Sequence, residues 1–373
     1  MITRFRILTL FFVLFALTNC KKTENNIVYD SRYIEEIKQV RKELGFYVSQ
    51  DFIPGLQIAI SKNGKLIYSE AIGTVSKDLE VEADRDNKFR IGTLSELFTS
   101  LIYLKMVEDG TLHPDSTVRH YLPDFPEKRF PIKIKTLVSH TSGIRQMTIA
   151  EKASQALYGN IKTGLDVFKD DPLMWPPGSN QQQSRYNYNL LGAIMEETSG
   201  KKFSELLTEY VTDTLQFNNT CVDHPFGTIK GRTNFYDHNL IAQVINALTK
   251  DLSWRQSADG ILSSAEDLIK LGDTFLNSDY LSEETRKNLF TPTTLLNNQK
   301  TQLANGWIIF TDNLGETVYG REGSVVGGSA SIMIVPKDEL IIAITTNLTQ
   351  ETANSPIVKI AGIFMTQPET PTE

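Results

Sequence analysis

The segment Phe-Arg-Ile-Gly-Thr-Leu-Ser-Glu-Leu-Phe-Thr-Ser occupies residues 89–100 and leads into a helix that is apolar around nearly its whole circumference. The apolar positions of this helix are Leu97, Phe98, Leu101, Ile102, Leu104 and Val107. A helix of this kind is predicted to lie at the centre of a domain. It is predicted to end at Asp109-Gly110, because glycine favours helix termination. Its N-terminus then points Thr93 into the interior.

Thr93 and Glu96 have the spacing of a capping box at the start of this helix. In that motif the hydroxyl accepts from the N–H three residues on, and the carboxylate reaches back to the first N–H. Glutamate also suits the positive end of the helix dipole. Such a cap stabilises by about 0.5–2 kcal/mol. We therefore favour a structural cap over a catalytic Thr93/Glu96 pair.

Strand patterns lie on both sides of a mainly helical middle, which spans about residues 90–290. Alternation over 56–60, an Asn63-Gly64 turn and a return over 65–71 predict a hairpin. Three or four more strands are predicted between 305 and 347. Helical spacing over 34–44 and 357–365 predicts two terminal helices. The expected fold is α/β (α+β): an antiparallel sheet of about five strands, from 55–72 and 305–347, with both terminal helices on one face and the helical region on the other.

Composition and charge exclude several functions. The 373 residues include 40% hydrophobic and 22% charged residues, which is typical of a globular protein. A net charge of -7 leaves no basic surplus for a polyanion, so we expect no nucleic-acid binding. The five histidines lack metal-ligand spacing, and we expect neither a metal nor a cofactor.

The N-terminus has the pattern of an export signal. Arg4 and Arg6 precede an apolar run over 7–17, and Leu-Thr-Asn-Cys ends at Cys20. This resembles a bacterial lipobox, in which the cysteine is lipidated. We expect a signal peptide over 1–20, a tether over 21–30, a domain over 31–367 and a tail over 368–373. The alternative is a plain signal peptide that is cleaved nearby. With Cys20 lipidated, Cys221 has no disulfide partner and is expected to be a buried small residue.

Several segments in the right order resemble the serine β-lactamase and penicillin-binding protein family, which includes class C β-lactamases, DD-peptidases and esterases. The first is 89–100. The others are Leu-Val-Ser-His-Thr-Ser-Gly (137–143), Pro-Pro-Gly (176–178) with Tyr-Asn-Leu-Leu-Gly (188–192), and Ala-Asp-Gly-Ile-Leu-Ser-Ser-Ala-Glu-Asp-Leu (258–268). The resemblance implies the fold of that family over nearly the whole mature chain.

The resemblance also implies an active site whose reactive residues have changed. In the family, a serine attacks an acyl carbon, a lysine one turn later takes its proton, a tyrosine relays protons and two backbone N–H groups hold the oxyanion. At the Ser-x-x-Lys positions this chain has Thr93 and Glu96. At the Tyr-x-Asn positions it has Gln183 and Arg185, and at the Lys/His-x-Gly positions it has Arg321 and Gly323. Only the glycine is kept.

The changed residues support two further expectations. A buried Glu96 needs partners, so we expect Arg185 and Arg321 to form an ion-pair cluster with it. A local bulge would instead bring Tyr186 into the position of the missing tyrosine, within reach of Thr93. The sequence leaves both arrangements open.

Two functional classes follow from these losses. The first is a lipid-anchored envelope protein, exported to the periplasm or cell surface, that binds a peptide, a peptidoglycan fragment or an envelope protein without turnover. The second is an active hydrolase that uses Thr93 or Ser95 as nucleophile. Losing a nucleophile or its base can cost about a millionfold in turnover, as in an unrelated serine hydrolase. This favours the first class.

Overall fold

The computed structural model describes residues 26–311, 315–350 and 355–365. The expected signal peptide, Cys20 and the tail over 368–373 lie outside these ranges. The strands are β1 (Ile27–Tyr29), β2 (Gly55–Lys62), β3 (Lys65–Ser76), β4 (Val81–Glu82), β5 (Phe89–Arg90), β6 (Cys221–Val222), β7 (Tyr236–His238), β8 (Val244–Asn246), β9 (Ile261–Ser263), β10 (Leu303–Ala304), β11 (Trp307–Thr311), β12 (Thr317–Val325), β13 (Gly328–Val335) and β14 (Leu340–Thr346).

Most helices lie between the strands of the two chain ends. They are α1 (Ile34–Asp51), α2 (Ser95–Glu108), α3 (Val118–Tyr121), α4 (Ile134–Val138), α5 (Ile149–Ala153), α6 (Ile161–Gly164), α7 (Arg185–Ser199), α8 (Phe203–Leu207), α9 (Gln256–Asp259), α10 (Ala265–Leu276), α11 (Glu283–Leu289) and α12 (Ile357–Phe364). In the described part of the chain, no helix is both long and apolar enough to cross a membrane.

One antiparallel sheet organises the molecule. Over the described ranges its order is β1-β3-β2-β14-β13-β12-β11-β10, with β4 added beside β3. The predicted hairpin and the predicted C-terminal strands therefore form the middle of the sheet, as expected. The additional strands β1, β4 and β10 have only two or three residues. Alternation cannot be read from so few positions.

The sheet separates two hydrophobic layers because neighbouring side chains of a strand point to opposite faces. Ile58 and Ile60 of β2 pack in the layer that holds α1 and α12. Ala59, between them, packs in the layer of α2, α7 and α10. The predicted placement of the terminal helices on one face and the helical region on the other is confirmed. Every apolar side chain named for the central helix is buried except Val107, which is partly buried against the same layer.

The expected tether over 21–30 is wrong for its last part. Ile27, Val28 and Tyr29 form β1, which pairs with Glu70, Ser69 and Tyr68 of β3. The backbone of this short segment completes the hydrogen bonding along the edge of β3, and three residues carry no readable periodicity. The folded chain thus begins before residue 31. Residues 21–25 lie outside the described ranges.

Candidate active site

Three segments of the fold meet at the start of α2. They are the turn over 92–94, the residues just before and at the start of α7, and the end of β12. A side chain at Gly323 would overlap the carbonyl oxygen of Ile91 and the backbone nitrogens of Thr93 and Leu94. Gly92 has a φ of 54° and would similarly collide with Ser324. Glycine at these two positions therefore lets β12 lie directly against the turn.

The predicted capping box is wrong. Gly92–Leu94 forms a 3-10 turn, α2 begins at Ser95, and no side chain caps it. The Thr93 hydroxyl donates instead to the carbonyl oxygen of Glu322 at 3.1 Å. The tight turn moves Thr93 away from the cap position, and Glu96 is held by other partners.

Ser95 is locked into the backbone beneath this turn. Its hydroxyl donates to the carbonyl oxygen of Gly92 at 2.7 Å and accepts from the N–H of Ile261 at 3.1 Å. The side chain is fully buried. Ser95 therefore serves as a bridge between the start of α2 and β9 and is not presented to a substrate.

Glu96 forms a buried ion pair with Arg321. The carboxylate Oε2 pairs with the Arg321 Nη2, and the exposed fraction of each side chain is 1%. This half of the predicted cluster is confirmed. The other nitrogens of the guanidinium, Nε and Nη1, have no hydrogen-bond partner among the described residues. The pair thus holds a carboxylate where the family places its lysine, and its positive charge belongs to a guanidinium that cannot give up a proton.

His140 is a third member of this cluster that the sequence did not reveal. Its Nε2 lies 3.2 Å from Oε2 of Glu96. Its Nδ1 accepts from the N–H of Ser184 at 3.2 Å and faces the Asn187 Nδ2 at 3.1 Å. Because Nδ1 accepts, the ring proton is assigned to Nε2, which donates to Glu96. His140 is 44 residues from Glu96 in the chain, so no local spacing indicates the contact.

Arg185 does not join the cluster, which corrects the other half of that prediction. Its Nε lies 2.9 Å from Oδ2 of Asp259, and its Nη2 donates to the carbonyl oxygen of Ser324 at 3.0 Å. Arg255 also pairs with Asp259, at 3.2 Å. Asp259 is buried at the C-terminal end of α9, and its charge draws Arg185 towards that end. Arg185 thereby links α7, α9 and β12 across the cleft.

Tyr186 does not replace the missing tyrosine. Its ring stacks on Phe168 with centroids 4.2 Å apart, and the Arg145 guanidinium lies 5.3 Å from its ring. Burial raises the pKa of its hydroxyl. This packing places Tyr186 within the helical layer. Gln183 therefore remains the residue at the tyrosine position, and an amide does not titrate.

A cleft of about 260 Å³ remains in front of the turn. Its lining includes positively charged, negatively charged and uncharged polar side chains. The lining residues are Thr93, Glu96, Gln146, Met147, Lys152, Gln183, Ser184, Arg185, Glu322 and Ser324. All six positions named from the sequence thus lie at or beside one site. In the described ranges, no group of three or more His, Cys, Asp or Glu side chains is arranged to hold a metal ion.

Comparison with known proteins shows the family of this chain. The family model Beta-lactamase matches residues 34–361, which is most of the chain. The chain belongs to the beta-lactamase family. The mitochondrial serine beta-lactamase-like protein LACTB of Homo sapiens is 25% identical, with 83% of this chain and 76% of LACTB covered.

Two other proteins are also similar to this chain. Protein flp of Staphylococcus aureus strain MW2 is 27% identical over 80% of this chain, which spans only 60% of flp. The solved structure of EstCE1, a hydrolase with promiscuous acyltransferase activity, superposes with a TM-score of 0.78 at 18% identity, covering 90% of this chain and 100% of EstCE1. At that identity the structural likeness shows the fold. The fold of the family is therefore kept around this cleft.

Proposed function

We propose that this chain is a catalytically inactive member of the beta-lactamase family that binds a ligand in its cleft without forming an acyl-enzyme. The observation that carries the proposal is the buried Glu96–Arg321 pair. An acyl-enzyme mechanism needs a base near the nucleophile, and the position of that base is held by a carboxylate already engaged by Arg321 and His140. The pair turns a proton-transfer site into a structural contact.

Neither hydroxyl near the turn has the surroundings of a nucleophile. Ser95 is buried and its hydroxyl is bonded to backbone groups. The Thr93 hydroxyl lines the cleft and donates to a carbonyl oxygen, which is too weak a base to take its proton. The exposure of Thr93 to the cleft is the observation that favours the alternative, an active hydrolase with Thr93 as nucleophile. That alternative requires a base that the observed hydrogen bond does not supply.

The cleft offers two cationic groups to a small ligand with an anionic group. Lys152 and Arg185 contribute positive charge, Glu322 contributes negative charge, and Gln146 and Gln183 contribute amide donors and acceptors. Guanidinium and ammonium groups are common partners of carboxylates. The volume of about 260 Å³ is near the lower limit for small-molecule pockets, which suits the end of a peptide or a cell-wall fragment. Such an end on an envelope protein would fit the same cleft.

The sequence supports a place for this binding at the cell envelope. The basic start, the apolar run over 7–17 and the lipobox-like ending at Cys20 favour export and lipid anchoring. In this proposal the domain stands at the surface of a cell membrane or outer membrane, held by lipid on Cys20. Its ligands would then be molecules of the envelope.

Calorimetric titration with soluble muropeptides from digested peptidoglycan tests the binding proposal. The comparison uses the full chain and the variants Lys152→Ala and Gln183→Ala, which change two side chains in the cleft. Lys162→Ala is the matched control, since Lys162 is also exposed but pairs with Glu197 outside the cleft. We expect both cleft variants to weaken binding by about tenfold, as for the loss of one charge-assisted hydrogen bond. Absence of binding, or equal binding by all four proteins, would contradict cell-wall fragments as ligands.

A further inference from the structure

Three large apolar side chains project from one end of the molecule. Leu240 and Ile241 lie in the turn between β7 and β8, and their relative solvent accessibilities are 106% and 73%. Leu79, in the turn between β3 and β4, is exposed by 76%. We refer to Leu79, Leu240 and Ile241 as the apolar tip. Turns of this kind normally carry polar residues, so this composition calls for a physical reason.

The hairpin that carries the tip is held by backbone contacts to the main sheet. The N–H of Tyr236 donates to the carbonyl oxygen of Asn347 at 2.9 Å, and the N–H of Thr349 donates to that of Tyr236 at 3.0 Å. The Tyr236 hydroxyl accepts from the N–H of Lys77 at 2.5 Å. These contacts join β7 both to the end of β14 and to the turn that contains Leu79. The two parts of the tip are therefore fixed relative to each other.

The turn itself is organised so that its apolar side chains face outwards. The Asn239 side chain accepts from the N–H groups of Ile241 at 3.1 Å and Gln243 at 2.9 Å. The N–H of Asn239 donates to the carbonyl oxygen of Gln243 at 3.0 Å. The polar groups of the turn are thus satisfied internally. Leu240 and Ile241 remain as its exposed surface.

Strand directions place the chain's N-terminal end at the same end of the sheet. Tyr236 pairs in parallel with Leu348, so β7 runs in the direction of β14. β14 and β3 are both antiparallel to β2, so β3 runs this way as well and its final turn carries Leu79. β1 is antiparallel to β3, and the carbonyl oxygen of Asn26 accepts from the N–H of Ala71. The described chain therefore begins, at Asn26, at the end of the sheet from which the apolar tip projects.

The lengths also agree. Along the strand direction, Tyr236 lies about three residues beyond Asn26, and Leu240 lies four residues beyond Tyr236. The offset between Asn26 and Leu240 is therefore roughly 20–25 Å at about 3.3 Å per residue. Cys20 comes six positions before Asn26, and six residue steps span at most about 20 Å. An anchor at Cys20 and the apolar tip can thus meet one flat surface.

We infer that the apolar tip inserts into the surface of the lipid bilayer that holds the N-terminal anchor. The proposal rests on the proposed lipidation of Cys20 and is independent of what the cleft binds. Side chains on a convex tip suit a lipid surface, since they point outwards and enclose no groove for a protein segment. Insertion would fix the orientation of the domain relative to the membrane, which a flexible anchor alone does not do.

Site-specific fluorescence in membranes tests this inference. In a Cys221→Ser background, the full chain is labelled with an environment-sensitive dye at Leu240→Cys and, as the control, at Leu66→Cys. Leu66 is an exposed leucine next to the Asn63-Gly64 turn, at the opposite end of the sheet. The proteins are reconstituted in vesicles of phosphatidylethanolamine and phosphatidylglycerol, and the mass of the N-terminal peptide reports lipid on Cys20.

Insertion predicts a blue-shifted emission and quenching by spin-labelled lipid at position 240, and neither effect at position 66. Equal behaviour of the two labels would overturn the inference. A blue shift without lipid quenching would also overturn it, because another protein surface would then cover the tip. If the N-terminal peptide carries no lipid, the inference fails, because it depends on an anchor at Cys20. The muropeptide titration does not depend on this result.

Discussion

At the scale of single residues, the start of α2 holds a buried pair of opposite charges. Glu96 and Arg321 neutralise each other in a site that is almost closed to water. Removing one partner of such a pair is far more costly than replacing both, because the remaining charge stays buried. The pair is therefore a stability element beside the cleft.

Glu96→Ala should lower the free energy of unfolding by about 3–5 kcal/mol, since it leaves Arg321 buried and unpaired. Replacing both residues, as Glu96→Leu with Arg321→Met, should recover most of that loss. Urea denaturation measures both effects. Glu35→Ala is the control, because the exposed Glu35–Lys38 pair should contribute no more than about 1 kcal/mol. A double variant as unstable as Glu96→Ala would contradict this role for the pair.

The roles of single residues were only partly predictable from the sequence. The buried helix start and the need of Glu96 for a cation follow from local composition, and Arg321 supplies that cation. The 3-10 turn that displaces Thr93, the attraction of Arg185 to Asp259, and the His140 contact depend on residues far apart in the chain. Local spacing carries no information on which of several buried charges will pair.

At the scale of elements, the close contact between β12 and the turn before α2 depends on glycine. Gly323→Ala should destabilise the protein by about 1–3 kcal/mol, because its methyl group would overlap backbone atoms of Ile91, Thr93 and Leu94. Gly45→Ala is the matched control. Gly45 lies in α1 with no atom within 4 Å of an added side chain, so alanine there should stabilise by up to about 1 kcal/mol. Thermal unfolding of both variants checks the contrast.

The short helix α5 is held beside the cleft by an ion pair that depends on pH. Burial alone would raise the pKa of Glu151, but hydrogen bonds from Arg145 and from the N–H of Thr148 lower it to about 2. Arg145 also pairs with Asp171 at 2.6 Å. Arg145 thus connects α5, whose Lys152 lines the cleft, to the segment around Asp171.

The pKa of Glu151 is lower in the folded state than its ordinary value of 4.5. The stabilisation by Glu151 is therefore present above about pH 4.5 and is lost as the pH falls towards 2. The parent chain should therefore be more stable than Glu151→Gln near pH 7, by about 1 kcal/mol or less because the pair is partly open to solvent. The difference should shrink between about pH 5 and pH 2. Unfolding in urea across that pH range checks it, and a difference that does not change with pH would contradict the assignment.

The long elements were predictable and the short ones were not. The alternation in β2, the strand-like runs of β13 and β14 and the all-round apolar pattern of α2 extend over enough residues to be read directly. β1 is too short to show a period, and it forms because the edge of β3 offers backbone partners. The direction of the β7–β8 hairpin likewise depends on its contact with Asn347, which is distant in sequence.

At the scale of the whole molecule, the fold depends on residues other than the polar residues of the cleft. The two hydrophobic layers on either side of the sheet are built from apolar side chains of the strands and helices. Glu96 of α2 and Arg321 of β12 are buried as an ion pair, and Gln183 and Arg185 line the cleft. The family fold thus rests on apolar side chains, and the cleft is lined mainly by polar ones.

The central claim is that the cleft no longer supports acyl transfer. The most direct measurement is the intact mass of the protein after incubation with a fluorophosphonate and, separately, with a penicillin. Thr93→Ala is the control. The account predicts no added mass on either protein, since Thr93 has no base and Ser95 is buried. A stoichiometric adduct on the parent chain that is lost in Thr93→Ala would identify Thr93 as a working nucleophile and contradict the account.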